Sequence, residues 1–465
     1  MNNKGIRLET NKIYKRIICF GDYGIATSVR VIVTCCLIVF FTLILPNVHV
    51  FPYSDEWEYV DGLAKTSIFS NPEWFFIQHG DHFIPIQKFF QGSILTLTGF
   101  DFRVLIAANF LIACSIVFFI LKIAKQYRGK LLFGDIFIPL CVLNFGSGFT
   151  QWGFEFQFLS SVFFTVLFLY FVMSSEKSRN QNLMGLAFFS LIACSLCGVN
   201  GLLVSSFIGV LFAIYFLIER IKKYHSRHYI QYLSLSILVF SNVLIWIYWI
   251  PSAATTLTPS FVKSFYFFRG LLNSSLVVYA FDNALWKSMV IPLLFIMATI
   301  YFVRSIMTKA FSEPVSNTSI ALIGSLLATV FCMIGLSYGR SAYNSGWSSG
   351  LEMHYGFLTT LVPIISWILV STSSKWSLPL GFILFLVYAN AFVVNANWRF
   401  QYLAESTSLN NKIQAEIADK SISAYDIANK YIKQFYWQDT PDIKQNIANG
   451  IDILRSNGGF NYKAN

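Results

Sequence analysis

Charge is what this chain has least of. Only 12% of its 465 residues are charged, against about 25% in a soluble globular domain. A water-exposed surface of ordinary polarity cannot be built from that list. Reactive cysteine is scarce as well. Of the eight Cys, Cys19 lies near the N-terminus and the rest sit inside apolar runs. The C-x-x-C of Cys194 and Cys197 falls within a hydrophobic helix, where a thiolate is poorly solvated, and this argues against redox or zinc chemistry. No internal repeat of the kind common in secondary transporters is visible.

What is present is apolar and aromatic: 55% hydrophobic residues, a mean hydropathy of +0.57, 48 Phe and 23 Tyr. Such a composition suits lipid-facing helices with interfacial belts. The net charge of +11 invites a nucleic-acid reading, but the basic residues crowd short connections, as at Lys122, Lys125, Arg128, Lys130, Arg220, Lys222, Lys223 and Arg227. That distribution is the positive-inside bias of a membrane protein, and no nucleic-acid partner is expected.

Apolar runs near 29–49, 101–125, 132–148, 156–174, 183–197, 202–220, 231–250, 287–305, 317–336, 356–372 and 377–395 predict an all-α integral membrane bundle of about eleven transmembrane helices. Residues 1–28, carrying Lys4, Arg7, Lys12, Lys15 and Arg16, are too long and polar for a simple signal peptide and set the N-terminus in the cytoplasm. The transmembrane domain then covers 29–395, with 50–100, 251–286, 337–355 and the tail 396–465 on the far side. Runs 183–197 and 202–220 are joined only by Cys-Gly-Val-Asn-Gly; the basic stretch Arg220 to Arg227 favours two spans there. Asp135 is expected to be solvated near the cytoplasmic start of its span. In the tail, Thr440-Pro441 marks a helix start, Gly458-Gly459 a stop, and Ile443, Ile447, Ile451 and Leu454 share one face, which predicts a small external helical domain.

The first external connection is the most specific stretch. Asp55, Glu56, Glu58, Asp61, Glu73 and Asp81 precede Asp101. Ser54 as N-cap, acids in the first turn and the spacing from Asp55 to Tyr59 and Leu63 predict a short interfacial helix. Glu58, Asp61 and Glu73 read as solvating acids; Asp55 and Glu56 stand apart because they follow the first span closely, beside the aromatic anchor Trp57. His79 and His82 form a lone H-x-x-H, short of the three or four ligands zinc takes, so hydrogen bonding is expected and no metal ligand set is assigned. Trp152, Glu155 and Gln157 mix amides, an acid and an indole at a span edge, which suits a sugar cleft and equally suits interfacial anchoring. Glu352, His354 and Tyr355 supply polar contacts in another outer connection. External cations able to bind an anion are Lys88, Arg103, Lys263, Arg269 and Arg340, with Arg340 and then Lys88 favoured; a snorkelling charge is the plainer account of each.

An acidic pair near the end of span one, followed by interfacial helices, resembles the GT-C superfamily of membrane glycosyltransferases. Ser54-Asp55-Glu56-Trp57, His79-Gly80-Asp81-His82-Phe83-Ile84-Pro85 and Gly99-Phe100-Asp101-Phe102-Arg103 resemble a bacterial group whose loop reads roughly D-E-W, H-N-E-H-R-I-P and G-x-D-x-R. The sequence departs from that pattern at Gly80, Asp81 and Phe83. Gln151 to Gln157, Gly198-Val199-Asn200-Gly201-Leu202 and Gly339-Arg340-Ser341 are similar to the same group, and length and topology resemble phage-type glucosyltransferases that modify O-antigen. The resemblance implies a bacterial inner-membrane enzyme with a far-side active site. It implies a polyprenyl-phosphate sugar as donor, a lipopolysaccharide or other polysaccharide acceptor, membrane lipid around the bundle, and a donor-lipid synthase and flippase upstream. No cofactor is assigned.

Chemically, a carboxylate just above the bilayer meets a lipid-tethered sugar at the right depth. Asp55 or Glu56 then serves as general base for an acceptor hydroxyl, with single-displacement inversion; the residues leave open which. Trp57, His79, Asp81, His82, Lys88, Arg103, Trp152, Glu155, Gln157, Asn200, Arg340, Glu352, His354 and Tyr355 are the expected substrate contacts. The rival classes are a lipid-linked oligosaccharide flippase, which needs polar groups through several spans, and a membrane O-acyltransferase, which needs a His-centred motif.

Overall fold

The computed structural model describes residues 3–65, 73–79, 82–221, 229–249, 260–276, 285–309, 316–341, 350–351, 353–372 and 374–456. Asp81, Glu352, Gly458-Gly459, most of the basic stretch Arg220 to Arg227, and 251–259, 277–284 and 342–349 within the outer connections lie outside the described residues.

The described residues form helices joined by turns, with no strand among them, in chain order α1 (Asn3–Val39), α2 (Trp57–Lys65), α3 (Glu73–Phe76), α4 (Pro85–Thr98), α5 (Arg103–Arg128), α6 (Phe137–Val142), α7 (Phe156–Ser178), α8 (Gln181–Ser195), α9 (Val199–Ile221) and α10 (Tyr229–Trp249). They continue with α11 (Phe261–Asn273), α12 (Leu285–Lys309), α13 (Asn317–Arg340), α14 (Met353–Gly356), α15 (Leu361–Val370), α16 (Ser374–Ala418), α17 (Ala424–Lys430), α18 (Ile432–Phe435) and α19 (Pro441–Ser456).

Eight helices among these residues are long and apolar enough to cross a membrane. The remaining three expected runs appear as shorter apolar helices, Phe133–Val142, Gln181–Ser195 and Met289–Tyr301. Their burial sorts them: 89% of Met353–Val370 and 72% of Gly153–Ser178 are inside the bundle, but only 22% of Tyr229–Tyr248. The inner helices therefore pack against one another. The outer ones display Leu233, Ile237, Phe240 and Ile247 outward, which fits hydrocarbon as solvent and makes this a multi-pass membrane architecture.

Run 132–148 breaks early. The Asn144 side chain takes the Gly146 amide at 3.1 Å, a local bond that competes with the helix and turns the chain out after Leu143. Runs 183–197 and 202–220 are two helices, as expected: Gly198 has φ +106 and the chain reverses within Leu196–Gly198.

At the end opposite residues 50–56, Asp135 corrects the expectation of a solvated acid. It is fully buried, because Arg128 binds both its oxygens at 2.7 Å and the Leu132 amide and Trp367 indole complete the shell at 2.7 and 2.8 Å. A buried carboxylate is tolerated only with its charge and lone pairs matched in this way.

The tail does not begin a new helix at 396. α16 runs unbroken for 45 residues, out of the bundle and into the tail. There Ile413, Ile417, Ile427, Phe435, Ile447, Ile451 and Leu454 merge with Phe51, Trp57, Val60 and Phe154 in one apolar cluster.

Candidate functional site: a carboxylate pair beneath the tail

Residues 50–56 leave α1 and enter a 3-10 turn at Ser54–Glu56. Ser54 is not the N-cap the sequence suggests. It stands at φ +52, a left-handed conformation that costs a non-glycine residue about 1–2 kcal/mol, and the Glu56 carboxylate caps the turn by accepting the Tyr53 amide at 2.9 Å. Its other oxygen accepts the Phe154 amide at 3.1 Å. Glu56 is fully buried. Burial pushes its carboxyl up to about 8, with the Asp55 charge adding to the rise, against the pull of the Tyr53, Phe154 and Gly153 amides. A Cβ on Gly153 would lie 2.7 Å from the Glu56 carboxylate, so glycine is required there for this side chain to seat.

Asp55 faces the other way. It is half-buried, and its Oδ1 accepts the Tyr436 hydroxyl at 3.3 Å, a contact between residues 381 positions apart. One carboxyl of the pair is thus sealed between two backbone segments, and the other lies at the seam between the first connection and the tail.

Around this pair the structure reassigns several expected substrate contacts. Trp57 is a core residue: it packs edge-on against Phe435 at 5.2 Å and lies beneath Gly450, so it seats the tail. Lys88 is buried, its ammonium donating to the Ile77 and Trp74 carbonyls at 2.6 and 3.2 Å over the Trp74 ring. Desolvation pulls it down to about 8, partly countered by Glu58. That ammonium holds α3 to α4 and is not offered to a phosphate. Arg103 forks onto Asp101 through Nε at 3.1 Å and Nη2 at 2.9 Å, and its amide takes the same carboxylate; the pair starts α5.

His79 and His82 exchange backbone hydrogen bonds at 2.8 Å across the two residues between them. His79 is buried, stacks on Tyr59 at 5.2 Å and meets Glu58 through Nδ1 at 3.2 Å. Its partner Glu58 is pushed up to about 7 by desolvation and then by Asp55, with Lys88 pulling the other way. Among the described residues no three His, Cys, Asp or Glu side chains are grouped to hold a metal ion.

Segment 151–155 is the spine of the site. The Trp152 indole donates to the Tyr53 carbonyl at 3.2 Å, and its ring stacks on Phe154 at 5.5 Å. Phe154 in turn meets His79 and His82. An aromatic wall therefore runs from the carboxylate pair to a second group. In that group the Arg340 and His82 charges reach His354, whose ring adjoins Tyr355 at 4.0 Å and Phe158 at 6.2 Å. Nearby, Asn200 donates to the Ser161 hydroxyl at 2.7 Å and the Gln157 carbonyl at 3.3 Å. A Cβ on Gly198 would meet Asn200 Oδ1 at 3.0 Å and Gln157 Oε1 at 3.2 Å. Glu155 is buried under Gly148, with no hydrogen bond to its Oε1 among the described residues.

Two participants were not among the residues expected from the sequence. Arg399, fully buried on α16, donates to the Phe145 carbonyl at 2.8 Å, the Ser147 carbonyl at 3.4 Å and Gln151 Oε1, and so shapes the turn ahead of Trp152. A lone arginine soon after an apolar run was the available hint. Tyr436 had none.

No family model, curated protein or solved structure compared with this chain matches it.

Proposed function

We propose that this chain is an inverting membrane glycosyltransferase, with Asp55 as general base. The observation that carries the reading is the division of labour in the carboxylate pair. Glu56 is sealed with both oxygens on backbone amides, whereas Asp55 stands half-buried at a seam at one end of an apolar bundle. A lipid-tethered substrate delivers its headgroup at that height.

The acceptor hydroxyl gives its proton to Asp55 as its oxygen attacks the anomeric carbon from the face opposite the phosphate. The bond from that carbon to the phosphate oxygen breaks, the new glycosidic bond forms, and polyprenyl phosphate leaves with the electron pair. Asp55 then passes the proton to solvent. Glu56 positions the turn that carries Asp55 and takes no proton from substrate. Of the expected cations, Arg340, within electrostatic range of His354, is the one this reading assigns to the leaving phosphate; Lys88 holds the Ile77 carbonyl and Arg103 pairs with Asp101. Positive-inside charge supports placing the site on the far face of the membrane; a bacterial inner membrane, a GT-C-like arrangement and a surface-polysaccharide acceptor belong to the same proposal and rest on the resemblance carried by the first connection.

The test is transfer of radiolabelled glucose from polyprenyl phosphate to surface polysaccharide by membranes holding the full chain. Asp55→Asn, which keeps the acceptor for the Tyr436 hydroxyl, should cut transfer by about 10²–10⁴ at normal protein levels. Wild-type rates from this variant would overturn the mechanism.

A further inference from the structure

Residues 436–440, Tyr436-Trp437-Gln438-Asp439-Thr440, join α18 to α19, and of them only Tyr436, through its bond to Asp55, has entered the scheme above. Their backbone is irregular. Tyr436 turns inward to Asp55, but Trp437 is 71% exposed, and Gln438, Asp439 and Thr440 are exposed with it.

Three features converge here. The Tyr436 and Trp437 rings stack at 5.9 Å with 19° between their planes, making one aromatic strip that begins at the proposed base and ends in the open. Burial first, and then the Asp55 and Glu58 charges, hold the Tyr436 phenol up to about 12; Asp55, in hydrogen-bond contact, stands at the inner end of the strip. The residues that follow supply the exposed Gln438 amide, while Asp439 pairs with Lys444 at 2.7 Å and Thr440 accepts the Ile443 amide at the start of α19.

A pyranose ring has an apolar C–H face and a hydroxyl edge. The face stacks on an aromatic plane, and the edge bonds to carboxylates and amides. We infer that the Tyr436-Trp437 strip is the acceptor subsite, taking a hexopyranose ring of the acceptor glycan on the Trp437 face and directing one of its hydroxyls to Asp55. That hydroxyl replaces the Tyr436 hydroxyl on Asp55 Oδ1. The inference rests on the glycosyltransferase reading and deepens it: the tail would be where the acceptor is held, and the membrane bundle would hold the donor.

The rival occupant of an exposed indole is the lipid headgroup layer, and the test separates the two. The full chain is reconstituted in vesicles with polyprenyl-phosphate glucose, and oligosaccharides released from surface polysaccharide serve as the acceptor probe. Trp437→Ala and Trp437→Leu should each raise KM for the oligosaccharide about 10-fold, the worth of one aromatic contact, while KM for the donor lipid stays at the wild-type value. Trp437→Phe should bring the oligosaccharide KM most of the way back. An unchanged oligosaccharide KM in Trp437→Ala overturns the subsite. Wild-type behaviour of Trp437→Leu also overturns it and assigns the indole to apolar anchoring. Absence of transfer by the wild-type chain overturns the glycosyltransferase reading itself, which is a different result from either.

Discussion

Adjacent carboxyls at 55 and 56 meet opposite surroundings, and their titration should separate them. Glu56 keeps its proton up to about pH 8 in the folded chain against a reference value of 4.5, so the folded state binds the extra proton between those values. Stability from this group is whole at the acid end and is lost as pH rises through about 8. Glu56→Gln sets an amide N–H against one of the two backbone donors, so it should cost about 1–3 kcal/mol and flatten the slope of melting temperature against pH across that window. An unaltered slope would assign the dependence to another group. The acids themselves were legible in the sequence because they follow a span end directly. Which of them is sealed was not, since Phe154 and Tyr436, the groups that decide it, are distant along the chain. For the same reason Lys88 and Arg103 read as anion binders: sequence displays a cation but not the carbonyls and carboxylate that already satisfy it.

Helices were legible wherever lipid dictates a long apolar run, and α5, α7, α9, α10 and α13 fall where the runs lie. Legibility failed where a short polar side chain rewrites the backbone, as Asn144 does at the end of α6. The α8–α9 reversal, which the sequence did announce, turns on close packing. A Cβ on Gly201 would overlap the Cys194 carbonyl, whereas Gly99, at φ +65, closes α4 with open space around it. Gly201→Ala should therefore destabilise the chain by about 3 kcal/mol, the upper part of the ordinary range. Gly99→Ala should cost only the left-handed strain of about 1 kcal/mol. Melting curves in detergent that reversed this order would refute the packing described for the turn. Similarly, Asp135→Ala strands the buried Arg128 and should cost about 3–5 kcal/mol, while Arg128→Met with Asp135→Leu should recover most of it.

At the scale of the molecule, the tail and the first connection share one apolar core, which composition alone could not foretell because each half is too short to advertise it. Trp57→Ala opens a cavity at the centre of that core and should cost about 3–5 kcal/mol. Protease should then cut the exposed turn at 437–440 sooner than in the wild type; equal rates would show the two parts to be held by something else. Gln438→Cys, in the same turn, should react with a membrane-impermeant thiol reagent added to intact spheroplasts, and reaction only after lysis would reverse the proposed orientation.

The length of α16 adds a mechanical consequence. At 1.5 Å per residue, its 45 residues make a rod of about 68 Å, more than twice the roughly 30 Å of a bilayer's hydrocarbon. A mast that long, stepped in lipid and continuing as far as Ala418, couples the tilt of the membrane anchor to the turn and short helices that carry Tyr436. Bilayer thickness should then bear on the seam where Tyr436 meets Asp55.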